Sequence, residues 1–226
     1  MRSITSMPPV LTDEAADVDG LWDVFFAIAV GVFLLVAFLL VWCMLRYRRR
    51  DDRLPKQVRH HTVVELAYTI TPFLIVIGLF AGTYTTVRAI ERRDEPDLVV
   101  EVTGFQWQWR FTYPEQDVSI TGAGEYEPEL VLPSNSTVRF ELTSTDVIHS
   151  FWIPGFRYKL DVFPGQTTEF DVAIRDRTGT WADGACAEFC GLDHATMRFA
   201  VTIVAPDEFE ARLDEAAAAM AERTGT

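Results

Sequence analysis

Apolar positions are unevenly spread along this chain. From residue 21 to 45 the sequence reads LWDVFFAIAVGVFLLVAFLLVWCML, with Asp23 as its one charge. At roughly 1.5 Å per residue a helix of this length measures about 37 Å, enough to cross a hydrocarbon core of about 30 Å. A cleavable signal would have an apolar stretch of only about 7–15 residues and a small-residue end. This run is longer and closes on large residues and arginines, which predicts a retained span. A second apolar run, VVELAYTITPFLIVIGLFAGTYTTV, fills residues 63–87 and predicts a second helix over 63–90. Pro72 lies inside it, which a membrane helix tolerates when neighbouring groups satisfy the freed carbonyl. Glu65 sits about one turn in, where a carboxylate either faces a partner or a watery cavity, or reaches back to the headgroups.

From about residue 96 the period changes to two. Val138, Phe140 and Leu142 alternate with Arg139, Glu141 and Thr143, and Met197, Phe199, Val201 and Ile203 alternate with Arg198, Ala200, Thr202 and Val204. Such alternation marks strands. Pro133-Ser134-Asn135, Pro154-Gly155 and Pro164-Gly165 separate the runs. The pattern predicts an all-β sandwich or barrel over 96–206. In FQWQWRFTY, residues 105–113, period two places Phe105, Trp107 and Trp109 on one strand face. Residues 207–222 have the propensity of a helix, here expected to be a solvated one, and 223–226 complete the tail. Asn135-Ser136-Thr137 matches a glycosylation acceptor, too short a pattern to carry a function.

Charge then orients the chain. Residues 46–62, between the spans, hold seven Arg and Lys against two Asp. Short basic loops stay cytoplasmic, so residues 1–20 and the large C-terminal domain are expected outside the cytoplasmic membrane. The whole chain carries −13, and residues 91–226 hold 25 Asp and Glu against 11 Lys and Arg. That surface suits solvent or a basic partner and excludes nucleic acid.

Candidate chemistry lies in CAEFCGLDHATM, residues 186–197. Cys186, Cys190, His194 and Met197 are soft or borderline metal ligands within one loop's reach. His149, in DVIHSFW, lies upstream between strand-like segments. Zinc would take two Cys and two His but has no use for the thioether of Met197, which suits copper. A mononuclear blue-copper site needs one Cys fewer. Two thiolates bridging two copper ions, each capped by one His, would use every ligand. Three plainer readings stand beside these. Cys186 and Cys190 could form a disulfide in an oxidising compartment, Met197 could be core, and the histidines could be surface residues. Cys43, inside the first apolar run, reads as a small buried hydrophobe.

These motifs resemble subunit II of the haem–copper cytochrome c oxidases, along most of the chain as far as Val204. C-x-E-x-C-x3-H-x2-M with an upstream His is that family's copper pattern, met here from Cys186 to Met197 and at His149. The resemblance implies a two-helix transmembrane hairpin followed by a cupredoxin-like β sandwich, in the plasma membrane of a prokaryote. It implies a binuclear copper centre of two ions bridged by Cys186 and Cys190. His149 and Met197 complete one ion; His194 and the backbone carbonyl of Glu188 complete the other. The Glu188 side chain would reach a magnesium ion shared with subunit I. Trp107 would accept electrons, and Glu65 would lie at the mouth of a proton channel serving subunit I. Implied partners are the haem-bearing subunit I, subunit III, membrane lipid, and a donor that is cytochrome c or a small blue-copper protein. The role is electron transfer in a proton-pumping oxidase, an enzyme whose oxygen chemistry lies outside this chain. No C-x-x-C-H occurs, so the chain holds no c-type haem of its own. Phe105, Tyr68 and Ala185 depart from common His, Trp and Gln, without touching a ligand. Two other roles compete: a membrane-tethered copper redox or delivery module outside an oxidase, and a quinol oxidase subunit II, in which the copper ligands would be absent.

Overall fold

A computed structural model describes residues 8–48, 58–93, 95–124 and 126–224. The chain forms two compact units, one of residues 18–88 and one that joins the N-terminal segment, up to Asp17, to everything from Ala89 onward.

Two helices, α1 (Asp13–Arg46) and α2 (Thr62–Ile90), supply the first unit. Their apolar side chains lie exposed on every side, Phe33 and Phe80 among them. A helix whose apolar span is exposed all round needs lipid around that span. Cys43, expected to be buried, is exposed, because a two-helix unit has no interior to hide it. The start of α2 is capped locally: the Glu65 carboxylate accepts the His61 backbone N–H at 2.9 Å, and His61 Nδ1 accepts that of Val64 at 3.4 Å. Of the basic loop, residues 49–57 lie outside the described residues, as do 1–7 of the N-terminal segment and 225–226 of the tail.

Among the described residues the second unit is a sandwich of ten strands: β1 (Leu98–Phe105), β2 (Gln108–Tyr113), β3 (Val118–Thr121), β4 (Glu129–Pro133), β5 (Ser136–Ser144), β6 (His149–Ile153), β7 (Tyr158–Val162), β8 (Thr168–Ile174), β9 (Gly179–Cys186) and β10 (Arg198–Val204). One sheet runs β3-β2-β1-β5-β8 and the other β4-β10-β9-β6-β7. Neighbours are antiparallel except β1 with β5 and β4 with β10. The alternating positions read from the sequence, Val138, Phe140, Leu142 and Met197 to Ile203, do face inward and are fully buried. The Tyr113 hydroxyl fastens the sheets together, donating to the Val131 carbonyl at 3.0 Å and accepting its N–H at 2.8 Å.

Two further expectations fail. Residues 105–113 are not one strand. The chain turns at Gln106-Trp107, Phe105 pairs with Gln108, and of Phe105, Trp107 and Trp109 the last alone is fully buried. Period-two counting cannot see a turn without Gly or Pro. Phe105 instead lies 5.6 Å from the Arg110 guanidinium. Nor is the terminal helix α3 (Phe209–Thr224) simply solvated. Phe209, Leu213, Ala216 and Met220, at helical spacing, are buried, and Arg212 donates to both Glu129 oxygens at 2.6 and 2.7 Å.

The N-terminal segment belongs to the sandwich. Thr12 bridges Ile174 on the free edge of β8, and Leu11 exchanges backbone bonds with Gly155 and Arg175 at 3.0 Å each. Glu14 accepts the Ala173 N–H, and Arg157 donates to the Pro8 carbonyl. Leu11 and Ala15 are fully buried. Leu11→Ala is therefore expected to cost about 2–5 kcal/mol. A melt of the full chain in detergent should show a clear fall in midpoint; an unchanged midpoint would mean that the segment merely lies on the surface.

Candidate metal centre

The site sits where β6 begins and β9 ends. These strands run side by side, with Phe151 opposite Cys186, so His149 comes beside the cysteine at 3.9 Å from Nδ1 to Sγ. The loop from β9 to β10 carries the remaining candidates. Its ends are closed by the Cys186 N–H on the Met197 carbonyl at 3.0 Å, and the Ala187 N–H ties it to Ser150 of β6 at 2.9 Å. A 3₁₀ turn at His194–Thr196 then returns the chain inward.

Within this loop Cys190 Sγ lies 3.8 Å from Cys186 Sγ, 3.6 Å from His194 Nδ1 and 3.7 Å from Met197 Sδ. The Glu188 carbonyl is 3.2 Å from Cys186 Sγ. His149, Met197 and both cysteines are buried; His194 is half-buried and the Glu188 side chain exposed. All the sequence-predicted ligands thus converge. Both thiols are free, too far apart for a disulfide at about 2.05 Å and near enough for one ion about 2.3 Å from each. The donor set is soft sulfur with imidazole, which favours copper over hard cations. Met197 is core and candidate ligand at once, fully buried with its sulfur turned to Cys190.

Electrostatics favour a cation here. Burial opposes ionisation of Cys186, yet His149, with backbone groups of Ser150 and Glu188, brings its thiol down to about 6. Burial and the Cys186 charge push Cys190 up to about 12. The two thiols are thus driven in opposite directions, and a bound metal would favour ionisation of both. Burial works against a charged His149, but Cys186 and Asp146 outweigh it and raise its pKa.

Sequence reasoning missed the residues behind the ligands. Asp146 Oδ1 meets His149 Nε2 at 2.9 Å, fixing the ring so that Nδ1 faces the sulfurs. Asp146 is itself held by the hydroxyl of Ser144. Its place three residues before the histidine was visible, but its direction depends on the loop. Trp107 is half-buried with its indole N–H on the Cys190 carbonyl at 3.2 Å. Glu65 belongs to the helical unit.

Comparison with known proteins agrees along the chain. Residues 123–204 match the family model described as cytochrome C oxidase subunit II, periplasmic domain, and residues 4–82 that described as its transmembrane domain. A probable cytochrome c oxidase subunit 2 of Streptomyces avermitilis is 35% identical over 255 residues, covering 93% of this chain and 78% of the relative. The cytochrome c oxidase subunit 2 of Mycobacterium bovis is 30% identical, covering 92% and 74%. Among solved structures, the periplasmic domain of subunit II of the Bradyrhizobium japonicum cytochrome oxidase is 33% identical, covering 56% of this chain and 98% of that one with a TM-score of 0.49.

Proposed function

This chain belongs to the cytochrome c oxidase subunit II family, and from that premise we propose that it takes electrons from an external donor at a paired copper centre and hands them to haem in subunit I. Its two helices cross the plasma membrane and its sandwich lies on the external side. The observation that carries the proposal is the convergence of two free thiols, two imidazoles and a thioether in one loop and one adjoining strand. A quinol-type subunit would lack this set. A tethered copper-delivery module would have no use for a match that includes the family's transmembrane region.

Copper, when bound, supplies one-electron chemistry. The chain's own residues do the rest. Cys186 and Cys190 would hold both ions, with His149 and Met197 on one, and His194 and the Glu188 carbonyl on the other. Asp146 keeps His149 aimed. The buried sandwich holds these groups in place through a change of oxidation state and keeps water off the sulfurs. Trp107, with one edge open to solvent and the other against Cys190, would receive the electron from cytochrome c or a small blue-copper protein. The exposed Glu188 carboxylate would reach a magnesium ion shared with subunit I. Phe189 and Leu192, 76% and 89% exposed between the ligands, offer an apolar rim for that subunit to cover. Glu65 would stand at the mouth of a proton channel serving subunit I, and subunit III would complete the complex.

Metal analysis and electron spin resonance on the full chain test this. About two coppers per chain are expected, with one mixed-valence signal spread over both. One copper with a mononuclear signal, or none with the two cysteines joined, would overturn the reading.

A further inference from the structure

We propose that Gln106 is a positioning residue that locks the electron-accepting tryptophan to the metal loop. The inference rests on the role proposed above for Trp107 and the copper ligands. Gln106 occupies the turn between β1 and β2 and is no ligand, yet it holds the site from two sides. Its side-chain N–H donates to the Cys190 carbonyl at 2.7 Å. Its backbone N–H donates to Asp146 Oδ2 at 2.6 Å, while the other oxygen of that carboxylate meets His149. One turn residue therefore touches the support of one imidazole and the backbone of one bridging cysteine.

The Cys190 carbonyl takes two donors, Gln106 Nε2 and Trp107 Nε1, one for each lone pair. Glycine at 191 makes the room. Its φ is +122°, and a Cβ there would come within 3.0 Å of Gln106 Nε2 and 3.1 Å of Trp107 Nε1. A single neutral hydrogen bond adds little to stability, so two strong anchors on ligand-bearing segments point to precision of placement. The indole then connects to Cys190 Sγ through one hydrogen bond and a few covalent bonds. With copper held by the cysteines, this path would carry one electron in from the reduced donor. No bond forms or breaks, and no proton is needed. Without the Gln106 anchor the Cys190 carbonyl keeps only the longer bond of the two, from Trp107, and both the path and the Cys190 geometry loosen.

Gln106→Met, made in the assembled oxidase, keeps the side-chain length and removes the donor. Donor-driven reduction of the copper centre should slow by about 10–100-fold, the range typical of groups that orient ligands. The spin-resonance splitting and the reduction potential should also shift, with copper content and melting midpoint unchanged. Should the Met variant fail to fold, Gln106→Asn keeps an amide that cannot reach the Cys190 carbonyl, and should change the same readouts in the same direction. Wild-type rate and spectrum in the variant would overturn the proposal. So would a joint loss of copper and stability with rate and spectrum per copper intact, since that marks a purely structural residue. A wild-type chain without a paired centre would instead refute the reading of the previous section, before any variant is made.

Discussion

Cys190→Ser should abolish the proposed paired centre. The hydroxyl keeps the shape of the side chain but is a hard, weakly acidic donor that cannot bridge two soft ions. Cys190 is the group that contacts Cys186, His194 and Met197 together, so its loss leaves Cys186 and His149 as one half-site. Changes to groups that only orient ligands cost about 10–100-fold in metal affinity or activity, so removing a bridging ligand should exceed about 100-fold in electron intake. Copper should fall to about one per chain or less, with a mononuclear signal. The check is metal analysis with spin resonance, alongside a melt to show that the sandwich is intact. A surviving paired signal would exclude Cys190 as a bridge.

Gly184→Ala should destabilise the sandwich by overpacking. Gly184 pairs with Phe199 across β9 and β10, and an added Cβ would clash with the edge of the Phe199 ring. That ring cannot retreat. It is fully buried, stacked on Phe151 at 5.0 Å and edge-on to Phe111 at 5.2 Å and Trp109 at 5.8 Å. Overpacking of this kind costs about 1–3 kcal/mol, occasionally more. Because Cys186 lies two residues along the same strand, the shift should also weaken copper retention on heating. Circular dichroism melts with and without copper measure both effects. A variant melting like the parent would show that β9 has slack there.

Much of this architecture was legible because its signals are local. An apolar run of membrane length, a basic loop, period-two strands and a ligand-dense loop each announce themselves within about a dozen residues. What escaped is set by contacts distant in sequence. The turn at Gln106-Trp107 has no Gly or Pro and hides inside an aromatic run that continues the strand pattern. The buried stripe of α3 is diluted by alanines, which count equally as apolar residues and as helix formers, and Arg212 breaks the impression of a uniformly acidic surface. At the centre, the ligands could be read from residue type and spacing. The groups that aim them could not: Asp146 is one acid among many, and Gln106 acquires meaning only when the fold brings it to Cys190. Cys43 shows the opposite error, where apolar surroundings in sequence did not mean burial in space.

The seam at Thr12 and Leu11 bears on how the protein is made. Residues that precede both spans complete the edge of a sheet built from residues that follow them, as the Glu14–Ala173 bonds show across 159 positions. Closing so long a loop is entropically costly and late. The front of the chain must therefore be exported and kept accessible until the last strands have crossed. A bulky tag fused close ahead of Pro8 would interfere with maturation of the copper domain rather than with insertion of the hairpin.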